Sequence, residues 1–323
     1  MTKSIIRIVI IIFIVTISIV AVISIRPWLL LNNKPKFTAE VKGLSIALIK
    51  PTFTAAAYHK SFYKFYFVYS NIPLHARKNI TSDLNLLSSP VTNLLTRSSS
   101  ASSILYLTTH LRTPLPESNT HVLTDEDVDA GSIFFLNGSN KYDILILGHQ
   151  EYVTQKEYDN LKYFVANGGT MILLDGNVFY AQVKYDRNTH TITLVKGHGW
   201  AYNGKSAWKS VRERWANETS EWVGSNYLCF SCKAAFPNNP FHYSHHEEQY
   251  LTNPNDLILL NYNASVSKEQ GITPDPEIAT YKLNYQKGKV IALSIYSDDI
   301  MTNTKFTKYF DSLLLQYTSR PQP

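Results

Sequence analysis

Between Lys3 and Arg7 on one side and Arg26 on the other, the eighteen residues from Ile8 to Ile25 carry no charge. At about 1.5 Å per residue this run reaches the length that spans a hydrocarbon core of roughly 30 Å. It predicts a transmembrane anchor over 8–25, preceded by a short tail over 1–7 and followed by a juxtamembrane linker over 26–42 that carries Pro27, Asn32, Asn33 and Pro35. The alternative is a cleaved signal peptide, for which Val22 and Ser24 are small enough, although a usual apolar signal segment runs to only about 7–15 residues.

A folded domain is expected over 43–318. Leu44 to Ile49 is a compact apolar run ended by Pro51, and Ala55 to Tyr69 is long enough for a helix. The short runs Leu84–Leu87 and Ile104–Leu107 read as strands, separated by Ser/Thr-rich stretches such as Arg97–Ser103 that read as exposed loops. The clearest unit is Tyr142 to Asn177. Asp143 to Leu147 has the unbroken apolar character of a strand buried on both faces. Thr154 and Glu157 have capping-box spacing, Tyr158, Leu161, Phe164 and Val165 recur at helical spacing, and Gly168-Gly169 ends the helix. Thr170 to Leu174 follows as a second strand. A strand, helix and strand in this span make a βαβ unit and imply a parallel sheet. Ala279–Tyr285 and Val290–Ser294 predict a hairpin, and Phe306–Tyr317 an amphipathic helix. The expected architecture is a doubly wound α/β three-layer sandwich with a mostly parallel sheet. The stretch over about 183–250, rich in Trp and His, is expected as an insertion, with a helix within Ser206–Trp222 whose Trp208, Val211, Trp215 and Trp222 share a face.

Composition narrows the function classes. With 44% hydrophobic and 17% charged residues the chain can bury a sizeable core. The net charge of +6 and pI near 9.0 are spread without a basic block, so nucleic acid is not an expected partner. Basic residues flank the apolar run on both sides and do not orient it. Sequons at Asn79, Asn137, Asn217 and Asn263 suit an exported domain, so the expected place is the cell membrane, single-pass, with the domain extracytoplasmic. The two cysteines, Cys229 and Cys232, form a C-x-x-C open to three readings: a local disulfide, a metal site shared with His242, His245 or His246, or two structural thiols.

Ligands of open α/β sheets sit at the carboxyl ends of strands. Here those ends run into Gly148-His149-Gln150-Glu151-Tyr152 and Asp175-Gly176-Asn177-Val178-Phe179-Tyr180. The Gly-His-x-Glu-Tyr motif at Gly148–Tyr152, the Gly168-Gly169 helix end and the Gly-Asn-x-x-Tyr-x-Gln motif at Gly176–Gln182 resemble the C-terminal domain of the N,N-dimethylformamidase large (beta) subunit, itself similar to the glutamine-amidotransferase-like superfamily. Motif by motif the match covers about residues 140–185. The tryptophan that usually follows each family tyrosine is replaced here by Val153 and Ala181.

The resemblance implies a flavodoxin-like fold and one iron ion held by two tyrosines and a glutamate. On this chain these are Tyr152, Tyr180 and Glu247, with His246 and Glu248 fitting the His-x-Glu pair as well as His245 and Glu247. His149, Glu151, Asn177 and His245 are the accompanying catalytic candidates, and a small amide the implied substrate. Hard anionic donors of this kind suit ferric iron, a Lewis acid for an amide carbonyl. For each of these residues ordinary packing or a solvated loop is the competing role, given 21 tyrosines in the chain. A binding domain for an envelope glycan, peptide or protein, acting through Trp200 and Trp208, is the alternative function. A cysteine nucleophile is not expected, because the turn after the second strand carries Asp175-Gly176-Asn177. No Gly-x-Ser-x-Gly is present to support a serine hydrolase.

Overall fold

The computed structural model describes residues 43–58, 81–85, 101–174, 178–197, 214–227, 249–251, 253, 255, 257–261, 278–293 and 304–318. All lie in the compact unit Val41–Pro323. The segment 8–25 lies outside these residues, and among the described residues no helix is long and apolar enough to cross a membrane.

The elements in chain order are β1 (Ser45–Lys50), α1 (Thr52–Tyr58), β2 (Thr81–Asp83), α2 (Ala101–His110), β3 (Asn119–Thr124), α3 (Asp125–Asp129), β4 (Ile144–Leu147), β5 (Tyr152–Thr154) and α4 (Gln155–Ala166). They continue with β6 (Thr170–Leu173), β7 (Ala181–Asp186), β8 (Thr191–Gly197), α5 (Ala216–Trp222), β9 (Ser225–Tyr227), β10 (Gln249–Leu251), β11 (Leu257–Asn261), β12 (Ile278–Tyr285), β13 (Gly288–Ala292) and α6 (Thr304–Thr318). The main sheet has seven strands in the order β11-β12-β13-β6-β4-β1-β3. From β13 to β3 all neighbours are parallel, and β12 and β11 add an antiparallel edge. A second sheet, β2-β8-β7-β5, stands beside it.

Alternation along the central strands divides the core between two faces. Ala47, Ile49, Leu145, Leu147, Met171 and Leu173 point to one face, where they meet Tyr158, Leu161, Phe164 and Val165 of α4 and Trp222 of α5. Ile46, Leu48, Ile144, Ile146 and Ile172 point to the other, against Ile104 and Leu107 of α2 and Phe306, Phe310 and Leu314 of α6. Both faces of β1, β4 and β6 are therefore dry, which is why these strands read as continuous apolar runs.

The βαβ unit stands as expected. The Thr154 hydroxyl accepts the Glu157 amide at 2.9 Å and caps α4. Gly168, at φ 100°, takes the left-handed conformation that closes the helix. The β12–β13 hairpin and the final helix are likewise in place.

Three expectations fail. Ile104–Leu107 is helical: Ile104, Leu107 and Leu111 recur at helical spacing and are buried, while Leu105 between them is exposed. A four-residue apolar run has no period of its own, and the Ser-rich stretch before it, read as loop, supplies the first turn of α2 with a buried Ser103. The strand near Leu84 lies earlier, at Thr81–Asp83, with Leu84 already beyond its end. The stretch over about 183–250, expected as an insertion whose regular structure is one helix within Ser206–Trp222, also supplies most of the β7–β8 hairpin, whose antiparallel ladder runs from Ala181–Gly197 to Asp186–Thr191 and forms the middle of the second sheet. Of the helix expected within 206–222 the described residues contain Ala216–Trp222, and both Trp215 and Trp222 are buried. Trp208 and Val211 lie outside them.

Candidate functional site

The site is assembled where β1, β3, β4 and β6 end. Their order reverses at β1, with β3 on one side and β4 on the other, and this opens the crevice where ligands of such sheets sit. After β4 the chain runs through buried Gly148, His149, Gln150 and Glu151 and joins the second sheet as β5. His149 and Glu151 are each about 1% exposed, and His149 Nε2 lies 3.3 Å from Glu151 Oε2.

The pairing of β5 with β7 sets Tyr152 opposite Ala181 in parallel register. Just before that pair the Phe179 amide donates to the Gln150 carbonyl at 2.8 Å, and the Tyr180 amide to the Glu151 carbonyl at 3.0 Å. The two tyrosines named from sequence, far apart in the chain, are thus brought to adjacent positions of neighbouring strands, and both are buried. The Tyr152 ring joins an apolar cluster with Phe53, Ala56, Leu84, Val183 and Ile192, and its amide donates to the Thr54 hydroxyl at 3.1 Å.

Phe179 is what turns the chain here. It has φ 59°, a left-handed conformation that a bulky side chain adopts only under constraint, and it is fully buried. The constraint is an aromatic cage. Phe179 lies 5.4 Å from the Tyr158 ring and 5.5 Å from Trp222, and Trp215 stacks on Tyr158 at 4.3 Å. The Trp222 indole donates to the Tyr158 hydroxyl at 2.8 Å, and that hydroxyl meets Thr219 Oγ1 at 3.0 Å. Burial pushes the Tyr158 phenol well above the usual tyrosine range, so it stays neutral. Trp215 and Trp222 therefore brace the turn that carries Tyr180. Arg214 adds to the brace: its amide donates to the Tyr180 carbonyl at 2.9 Å and its Nε to Gln182 at 2.7 Å.

Sequence reasoning missed a second group of residues below the strand ends. Asp125, fully buried at the start of α3, accepts the Phe53 amide at 2.7 Å and Gln150 Nε2 at 3.2 Å, and Gln150 also reaches the Ile49 carbonyl at 3.3 Å. These contacts tie β1, α1 and the end of β4 together and fill the crevice with protein groups. Burial, with the charge of Glu126 beside it, pushes the Asp125 carboxyl up to about 8, against the lowering effect of the Phe53 amide and of Gln150. Glu157 of α4, also fully buried, is held well above the usual range by its own burial and then by Asp125. Two buried carboxyls that feel each other's charge resist ionising together, so each favours the neutral form of the other. The signal that could have located it was the acidic run Asp125-Glu126-Asp127 directly after a strand, where it caps a helix.

Of the other residues named from sequence, Asn177, His245, Glu247 and their alternatives His246 and Glu248 lie outside the described residues. So do Cys229, Cys232, His242, Trp200 and Trp208. Among the described residues no group of three His, Cys, Asp or Glu side chains could hold a metal ion. Glu151, Tyr152 and Tyr180 are buried where β5 and β7 begin to pair, and phenolate and carboxylate oxygens are hard donors of the kind that suits a ferric ion.

Among solved structures the chain is similar to a GH42 beta-galactosidase from G. stearothermophilus, at 12% identity over 86% of this chain and 30% of that one, with a TM-score of 0.43. It is also similar to a cytoplasmic protein from Salmonella typhimurium LT2, at 10% identity over 66% of this chain and 86% of that one, with a TM-score of 0.39. The chain thus spans less than a third of the galactosidase. No curated protein matches it. The profile of the family described as N,N-dimethylformamidase beta subunit-like, C-terminal, matches residues 40–265, well over half of the chain, and covers β1 through β11 together with both tyrosine motifs, so the protein belongs to that family.

Proposed function

We propose that this protein is a metal-assisted hydrolase of C–N bonds in small amides, other than peptide bonds, built on a doubly wound flavodoxin-like core. In this reading residues 8–25 anchor it in the cell membrane and the domain works on the extracytoplasmic side. Family membership supports the reaction class, and the observation that carries the site is the β5–β7 pairing, which brings Tyr180, the residue before the partner of Tyr152, to the same strand edge. Tyr152, Tyr180 and Glu247 would hold one iron ion. Bound there, it would supply Lewis-acid polarisation of an amide carbonyl.

The chain's own residues have separate tasks. Glu151 holds the His149 imidazole at the strand end, and His149 would take a proton from the attacking water and return it to the leaving amine. Asn177 and His245 would complete the polar wall around the substrate. Turnover of a panel of small N-substituted amides by the full chain tests the proposal. Hydrolysis is expected to fall by about a hundredfold or more in His149→Ala, within the usual worth of a general acid–base group, with the protein still folded. Parent-level turnover in that variant would remove His149 from the mechanism.

A second reading has one observation in its favour, the apolar packing of the Tyr152 ring among Phe53, Leu84 and Ile192. In it the fold is a non-catalytic binder of an envelope glycan, peptide or protein. The two readings part on whether the purified chain carries metal.

A further inference from the structure

Three connections lead into the amino ends of the central strands, at the edge opposite the candidate site. Before β4 the chain makes a tight hairpin: the Phe135 amide donates to the Ser139 carbonyl at 2.9 Å, the Gly138 amide to the Phe135 carbonyl at 2.9 Å, and Phe134 bridges Asn140. Its tip carries Phe135, 54% exposed, and Leu136, fully exposed. Before β6 the last turns of α4 present Tyr163, half-exposed, whose ring meets Phe134 at 5.4 Å. Asn140 Nδ2 fastens the hairpin to the Phe164 carbonyl at 2.8 Å. Before β13 the turn Gln286-Lys287 abuts the end of α4, the Lys287 amide donating to the Ala166 carbonyl at 3.4 Å. Lys141 and Lys287 are both exposed.

The result is one continuous surface with an apolar tip, an aromatic ring at its side and lysines around it. At the end of a pinned hairpin Leu136 buries nothing in the domain and Phe135 leaves about half of its surface in water, which costs free energy. An occupant is indicated by where the chain enters. Ser45, the first residue of β1, exchanges hydrogen bonds with Asp143 at 2.8 and 2.9 Å, and Asp143 follows the hairpin by three residues from Asn140. The uncharged run 8–25 ends nineteen residues before Leu44, so the protein leaves its sequence-predicted anchor and enters the fold at this edge. Lysines beside exposed aromatic and aliphatic groups match the boundary between anionic headgroups and acyl chains.

We propose that the amino edge of the sheet docks on an anionic lipid bilayer, with Phe135 and Leu136 entering the acyl boundary and Lys141 and Lys287 meeting the headgroups. This rests on the proposed anchoring by residues 8–25. It places the strand carboxyl ends, and the candidate site with them, on the side away from the bilayer.

The test uses the full chain carrying Leu136→Trp in vesicles of phosphatidylcholine and phosphatidylglycerol, with the phosphatidylcholine either plain or brominated high on its acyl chains. The emission added over the parent chain is expected to be largely lost in the brominated vesicles alone, whereas that of Val195→Trp, exposed on the second sheet, is kept. Chain that floats with the vesicles and shows no quenching at position 136 would overturn the docking while leaving the anchor in place. Chain that does not float would overturn both, and a glycan on Asn137, the sequon of the same tip, would overturn the docking alone.

Discussion

The stability lost on raising the pH from about 4 to about 8 is expected to be smaller by a few kcal/mol in Glu157→Gln than in the parent. A carboxyl raised in the folded state binds its proton more tightly there than in the unfolded chain. Its contribution is fully present below the unfolded pKa and is lost as pH rises through the folded one. For Asp125 the window runs from its ordinary value of 3.8 to about 8, and Glu157 shifts in the same direction. At about 1.4 kcal/mol per unit, the two shifts share a penalty on the order of several kcal/mol. Urea unfolding of both proteins at several pH values measures the difference, and parallel curves would mean that Glu157 adds nothing to this loss. Asp129 faces the same group and pairs with Arg187 at 3.6 Å, while Glu126 lies near His190 at 3.7 Å, and the substitution leaves these outer pairs in place.

Gly288→Ala is expected to destabilise the domain by about 3 kcal/mol or more. A Cβ at this position would stand 2.1 Å from the Val165 carbonyl oxygen and 2.4 Å from that of Gly169, both backbone atoms that cannot turn aside. The close approach lets β13 pair with β6 directly beneath the end of α4. The loss would appear as a lower urea midpoint with an unchanged slope, and a midpoint within error of the parent would show that the strand can shift to admit the methyl group. Gly168 is a useful contrast. Its neighbours leave room for a Cβ, and its φ of 100° is what calls for glycine.

The sequence disclosed those parts of the fold whose signal is local. The unbroken run Ile144–Leu147, the spacing of Tyr158, Leu161 and Phe164, and the Gly168-Gly169 stop each follow from one element's own period, and all three stand in the structure. Ile104–Leu107 was misread because four apolar residues carry no period, and it is packing against Leu48 and Phe310 that makes them helical. The second sheet was invisible for another reason. Its strands β5 and β2 have only three residues each, and they acquire meaning by pairing with the β7–β8 hairpin far along the chain.

The candidate site divides in the same way. Tyr152, Tyr180, His149 and Glu151 could be named from their motifs, and the structure brings them to one strand edge. Nothing local marked Phe179, whose left-handed backbone depends on the cage of Tyr158, Trp215 and Trp222. Nor could Asp125 and Glu157 be paired from the sequence, because they lie thirty-two positions apart and only the fold turns both inward.

Iron content and the visible spectrum of the purified full chain, set beside Tyr152→Phe/Tyr180→Phe, test the proposed function most directly. One iron per chain with a tyrosinate charge-transfer band is expected, with band and metal lost together in the variant, whose near-isosteric rings leave the core packing intact. A well-folded, colourless parent protein that takes up no iron would contradict it.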